Sequence, residues 1–178
     1  MKRLTPPLSD DAVSDLKVGD KVFITGTIYT ARDQAHLRLI EDDDPAFNLQ
    51  GSILFYVGPT PAKPGQIIGS SGPTSAYRMD PMSPPLMARG VKAMIGKGDR
   101  SDAFRQSMIA HNAVYLIATG GAGALLSSRI KSIKPIMYED LGPEAIHELY
   151  VEDFPCFVAY DVHGNQLFKG GGPREEKK

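Results

Sequence analysis

Four stretches set reactive side chains beside turns that could aim them. In "TARDQAH", residues 30–36, Arg32 stands at the mouth of an expected helix, where its charge opposes the helix dipole. A carboxylate held at that junction would account for it. A surface pair with Asp33 or Glu41 would do so equally well. Asp33 suits a helix start, and His36 follows Arg32 by four residues, close enough to line the same site. In "SGPTSAYRMD", residues 71–80, Gly72 lets the backbone turn and approach a ligand, and Pro73 fixes one dihedral and removes a donor. A helix beginning at about Thr74 would set Thr74 and Arg78 on one face, an arrangement suited to a carboxylate. The plainer reading makes Thr74 or Ser75 a helix cap. In "IGKGD", residues 95–99, Lys97 lies between two glycines at the end of an expected strand. Ligands of open α/β sheets gather beyond such strand ends; an exposed turn lysine is the alternative. The fourth stretch, "ATGGAGALL" at 118–126, has the texture of a dinucleotide-binding loop, with Glu139 and Asp140 near where a ribose-binding acid belongs. Leu126 occupies the place of the third glycine, which weakens that reading.

The elements that must position these residues follow from hydrophobic period and punctuation. "KVFITGTIYT" reads as a strand and "ARDQAHLRLIEDDD" as a helix; "GSILFYVGP" and "QIIGSSGP" read as further strands. Beyond residue 70 the pattern alternates. "PPLMARG" is a short helix with prolines in its first turn, and "VKAMIGKGD" is a strand. "SDAFRQSMIAHN" is a helix with Ser101 or Asp102 as N-cap, and "AVYLIAT" is a strand buried on both faces. A glycine loop and helix span "GGAGALLSSRIKSI", followed by a strand "KPIMYED", a helix "GPEAIHELYVED" and a strand "FPCFVAYDV". Such alternation favours a parallel or mixed sheet with helices packed on it, an α/β fold.

Composition sets the outer limits. A chain of 178 residues suits one domain, here 1–170, with a polar, mobile C-terminal tail at 171–178. The net charge of −1 offers no electrostatic case for a nucleic acid or an anionic membrane. The lone cysteine, Cys156 in apolar "FPCFVAY", reads as core; it can neither close an internal disulfide nor hold a metal centre alone. His111, His147 and His163 show no metal-ligand spacing, and no Ser-His-Asp arrangement is legible. No leader or membrane span is legible either, so a cytoplasmic protein is expected.

In this order, "TGTIYTARDQAHLRLI", "GPTSAYRMD", "MIGKGD" and "VEDFPCFVAYDVHGNQLF" resemble the β subunit of iron–sulfur hydro-lyases. These are the two-subunit class I fumarate hydratases and L-tartrate dehydratases. The likeness extends to the C-terminal domain of single-chain class I fumarases, and it runs from about residue 5 to 168. It implies a swivelling β/β/α domain, with a mixed sheet and helices packed against it. It also implies half of an enzyme: a [4Fe–4S] cluster bound by three cysteines of a partner α subunit and not by this chain. The substrate would be a small dicarboxylate, and the assembly a heterotetramer or larger. The family's substrate-binding residues carry over to Arg32, Arg78 and Lys97, and its proposed catalytic base to Thr74. Gly72, Asp33 and His36 are expected to support them. Fumarate hydration to L-malate is the leading reading, since "IYTARDQAHLRL" looks closer to the fumarases, with L-tartrate dehydration next. A non-catalytic anion- or nucleotide-binding module built on "GGAGALL" is a more distant alternative.

Overall fold

A computed structural model describes residues 1–69, 71–118 and 123–168. Seven strands and five α-helices alternate along them. The strands are β1 (Lys2–Leu4), β2 (Lys21–Thr30), β3 (Ile53–Phe55), β4 (Ala93–Gly96), β5 (Val114–Ile117), β6 (Ile130–Met137) and β7 (Ile146–Tyr160). The helices are α1 (Asp10–Ser14), α2 (Asp33–Leu39), α3 (Ser83–Ala88), α4 (Asp102–Ala110) and α5 (Gly123–Ser128). Two 3₁₀ segments, Ala76–Met82 and Glu139–Glu144, complete the inventory of described elements. No helix among the described residues is long and apolar enough to cross a membrane.

The sheet is mixed, as the alternating pattern predicts. β1 through β5 pair in parallel in order, while β7 runs antiparallel to β2, β5 and β6. Because β7 pairs with both β2 and β5, the ring β2–β3–β4–β5–β7 closes on itself. Closure explains why the central strands are apolar on both faces. Ile53, Phe55, Ala93, Ile95, Val114 and Leu116 point into the ring with Ile24, Ile28, Val151, Phe154 and Cys156. Their alternates Leu54, Met94 and Tyr115 face outward, under Leu39, Leu86, Phe104 and Met108 from the helices. The period of two thus feeds two cores from the same short strands.

Several elements differ from expectation. "QIIGSSGP" forms no strand among its described residues: it leaves a turn at Gly65 (φ +82°), and Pro73 at its end has no N–H to give a ladder. "GPEAIHELYVED" is not a helix. Gly142 (φ 61°) and Pro143 confine helical structure to the 3₁₀ segment, and from Ile146 the chain enters the longest strand. Its Ile146 and Leu149 mimic a helical face, but Leu149 and Val151 alternate inward, and a kink at Asp153 (φ 48°) resets the alternation to Phe154, Cys156 and Val158. Likewise "IKSI" leaves the expected helix and joins "KPIM" in β6, with Arg129 as the turn after α5. The N-terminal stretch holds β1 and a helix capped by Ser9, whose Oγ accepts from the Ala12 N–H at 3.1 Å. The expected Ser101 cap on α4 is present, its Oγ accepting from the Phe104 N–H at 3.1 Å. Most of the glycine loop, residues 119–122, and the tail at 171–178 lie outside the described residues.

Candidate functional site

The carboxyl ends of three parallel neighbours, β2, β3 and β4, carry the candidate residues. Beyond β3, Tyr56 continues the ladder: its N–H donates to Ile95 O at 2.8 Å, and its carbonyl accepts from the Thr74 N–H at 2.7 Å. Thr74 O in turn accepts from Lys97 N–H at 3.2 Å, and the Ala76 N–H donates to Lys97 O at 2.9 Å. Residues 74–76 therefore lie as one extra rung beside the end of β4, with Ser75 and Lys97 paired in parallel. This close approach requires Gly96. A Cβ there would come within 2.9 Å of both the Ala76 Cβ and the Tyr56 ring, and 3.3 Å from Thr74 O.

That rung replaces the expected helix start. The 3₁₀ segment begins at Ala76, after Thr74, and Ser75 stands at its N-cap position with no side-chain cap bond. Thr74 and Arg78 are therefore not i,i+4 neighbours on an α-helix; they are joined through the tertiary frame. A Cβ at Gly72 would meet nothing within 4 Å, so the chain itself imposes no steric need for glycine there.

Arg32 sits at the N-cap position of α2 without capping it by a side-chain bond. Its partner is neither Asp33 nor Glu41. The nearest carboxylate is Glu144, with Oε1 3.9 Å from Nε, beyond hydrogen-bond range, and the buried Nε has no hydrogen-bond partner. Thr30 brings Glu144 near: its Oγ1 accepts from the His147 N–H at 2.9 Å and donates to Ala145 O at 3.3 Å. Arg32 lies over Gly58, whose hypothetical Cβ would be 2.9 Å from Nη1 and 3.0 Å from Cδ. Asp33 instead grips Arg78 through two bonds, Nε to Oδ2 at 3.0 Å and Nη2 to Oδ1 at 2.8 Å. Lys97 is exposed, and the Arg78 side chain is 42% exposed.

His36 is fully buried beneath this edge, edge-on to the Tyr56 ring. Its Nδ1 bonds Arg32 O at 2.8 Å, so Nδ1 carries the proton and the ring braces the backbone that presents Arg32. Burial pushes its pKa down to about 4, against the opposing pull of the bond to Arg32 O. Below pH 6.5 the unfolded chain takes up a proton that the folded chain refuses. Stability is therefore complete above about pH 6.5 and falls between there and about pH 4, by up to about 3 kcal/mol. Denaturant titrations at pH 7 and pH 4.5 check this; His36→Gln should flatten the slope.

Sequence reasoning passed over the layer below. Arg100, 1% exposed, donates from Nε to Asp80 Oδ1 at 2.5 Å, and Asp80 Oδ2 accepts from the Ser101 N–H at 2.6 Å. Arg100 Nη2 also reaches Tyr56 Oη and Ser83 Oγ, both at 3.3 Å. Tyr160 Oη donates to Asp99 and accepts from the Arg100 N–H at 2.8 Å. No apolar setting marks the two charges in the sequence: Asp80 closes "RMD", and Arg100 follows "GKGD" and precedes Ser101 and Asp102, so nothing local distinguishes them from surface charges. Asp140, a possible ribose-binding acid, is committed to Arg38 by a fork of 2.7 and 2.6 Å.

The candidate site thus sets Arg32, Lys97 and the Asp33-bound Arg78 near the strand ends beside which Thr74 lies. Among the described residues, no group of three or more His, Cys, Asp or Glu could hold a metal ion. Cys156 is buried, and burial raises its pKa, which disfavours the thiolate that ligates iron.

Comparison with known proteins identifies the family of the chain. The family described as Fumarase C-terminus matches residues 3–171. The putative L(+)-tartrate dehydratase subunit beta of Methanocaldococcus jannaschii is 37% identical over 172 residues, covering 91% of this chain and 88% of that protein. The L(+)-tartrate dehydratase subunit beta of Escherichia coli K12 is 33% identical, covering 93% and 86%. The putative fumarate hydratase class I of Geobacillus stearothermophilus is 36% identical over 169 residues; they make up 92% of this chain but only 33% of that longer protein. Matched over nearly its whole length, the chain belongs to the fumarase C-terminus family, in the β region that tartrate dehydratase β subunits share with class I fumarate hydratases, which are hydro-lyases.

Proposed function

We propose that this chain is the β subunit of a hydro-lyase acting on a small dicarboxylate, with fumarate and L-malate as the leading substrates. The observation that carries the reading is the convergence of Arg32, Lys97 and the Thr74 rung on adjacent strand ends, with Arg78 tied in through Asp33. A dicarboxylate needs two anion grips. Arginine supplies planar forks, and lysine supplies a point charge. Removing the C3 proton of malate builds negative charge on the adjacent carboxylate, and cations preset at that position favour the transition state over the ground state. Thr74 stands in the base position. A threonine hydroxyl serves there only in a dry, strongly positive pocket or as a relay to another group.

A sequence with one cysteine, itself buried, and no metal-holding group among the described residues does not suit an iron–sulfur cluster. The proposal therefore assigns the [4Fe–4S] cluster, with the general acid, to a partner α subunit. L-tartrate is a second reading, favoured because the relatives of matching length are named tartrate dehydratase β subunits.

Co-expression with the α subunit, anaerobic purification and assays on fumarate, L-malate and the tartrates test the reading. Turnover of fumarate and malate supports the first assignment. Turnover of L-tartrate alone moves it to the second. Inactivity of the assembled, cluster-loaded enzyme on all of them overturns both.

The Gly58 seat makes a separate prediction. In Gly58→Ala the new methyl would meet Arg32 Nη1 at 2.9 Å and Cδ at 3.0 Å and push that side chain aside; no hydrogen bond is lost from its Nε, so folding changes by about 1 kcal/mol. The displaced fork should still lower kcat/KM at least about 10-fold, because ångström-scale misplacement carries that scale of penalty. Steady-state kinetics beside a melting curve separate the two effects.

A further inference from the structure

We propose that Asp33 is a positioning residue that sets which edge of Arg78 meets the substrate; this rests on the reading of Arg78 as a carboxylate grip. A guanidinium carries five N–H groups in one plane. Asp33 takes the side edge, one bond from Nε at 3.0 Å and one from Nη2 at 2.8 Å. Left over is the end edge, one hydrogen from Nη1 and the second from Nη2, while the other Nη1 hydrogen points back toward Cδ. That edge is itself a two-pronged fork for a second carboxylate. The chain's own acid therefore does not compete with a substrate; it uses the edge the substrate leaves and stops the plane from rotating.

Both anchors are held. Asp33 is the first residue of α2, whose opening turn is braced by His36 against Arg32 O. Arg78 sits in a 3₁₀ segment whose neighbours Ala76 and Met79 are wholly buried. The pair is half exposed, with side-chain exposures of 25% and 42%, so its direct contribution to folding is small, about 0–1 kcal/mol. An arrangement of little value to stability that fixes a planar cation at a binding edge is what a positioning role requires. Sequence spacing conceals it, since the two residues are 45 positions apart.

The test is a double-mutant cycle in the assembled holoenzyme. Asp33→Asn keeps the size and a helix-compatible start but breaks the fork; Asp33→Ser repeats it with a different side chain. Each should lower kcat/KM about 10- to 100-fold, with the melting midpoint within a few degrees of the parent. In an Arg78→Lys background the same Asp33 substitutions should change kcat/KM less than about 2-fold, because a residue acting through another loses its effect when that other is altered. A merely structural role would give equal losses in both backgrounds and would overturn the inference, as would wild-type kinetics for both Asp33 variants. Wild-type kinetics for Arg78→Lys itself would remove Arg78 from the site and overturn both its role as a carboxylate grip and the present proposal, leaving the reaction assigned above in place. A costly Arg78→Lys with silent Asp33 variants would remove the present one alone.

Discussion

Asp80→Ala is expected to destabilise the fold by about 3–5 kcal/mol, the largest single effect on folding foreseen here. Arg100 is the reason. Its guanidinium lies 3.5 Å from the Phe104 ring centroid and 4.8 Å from that of Tyr115, with 1% of the residue reaching solvent. Asp80 is the only carboxylate paired with it among the described residues, and Nη1 already has no hydrogen-bond partner. Removing the carboxylate leaves a cation that can neither deprotonate nor reach water. It also strips the acceptor from the Ser101 N–H at the start of α4. In a chain of this length, the melting midpoint should fall by roughly 10 °C. Asp80→Asn, which retains an acceptor, should lose less. A loss below about 1 kcal/mol in urea titration for the alanine variant would mean that water reaches Arg100. The consequence extends to the site, because Asp80 ties the 3₁₀ segment carrying Arg78 to the loop that follows Lys97.

Thr74→Ala should produce the largest effect on catalysis: kcat lower by about 100-fold or more in the assembled enzyme, with KM changed only a few-fold. The backbone shows why this substitution isolates the chemistry. Thr74 is held on both sides by main-chain bonds, its N–H to Tyr56 O and its carbonyl from the Lys97 N–H. Alanine keeps both, so the rung and its flanking cations stay in place while only the hydroxyl and the methyl beyond Cβ disappear. A group that handles a proton in the transition state lowers kcat when removed, whereas one that only binds substrate raises KM. Normal turnover by the variant would release Thr74 from any proton transfer.

Much of the scaffold was legible because strong local patterns survived folding. β2 runs over the ten residues its β-branched and aromatic content marks, and Ser101 caps α4 as its side chain requires. The failures share a cause. The first half of β7 was hidden, although "FPCFVAYDV" read correctly as a strand, because Ile146 and Leu149 have helical spacing, and only pairing with β2 and β6 makes an extended chain the better solution there. Closure of the ring through β7 is likewise a property of long-range pairing that no window of residues reveals.

The site divides along the same line. By itself the sequence determined the chemistry available: three cations, a threonine, and a single cysteine unable to assemble a metal centre, carried on motifs specific enough to indicate the family. Tertiary structure alone decided how those groups are held: Thr74 as a rung beside Lys97, Arg78 clasped from the side by Asp33, Arg32 laid over Gly58, and the whole edge underpinned by a buried Arg100–Asp80 pair. Residue type fixes charge and hydrogen-bonding capacity wherever a side chain lies. Direction, burial and partner come from contacts between segments far apart in the chain, and these exist only once the sheet has closed.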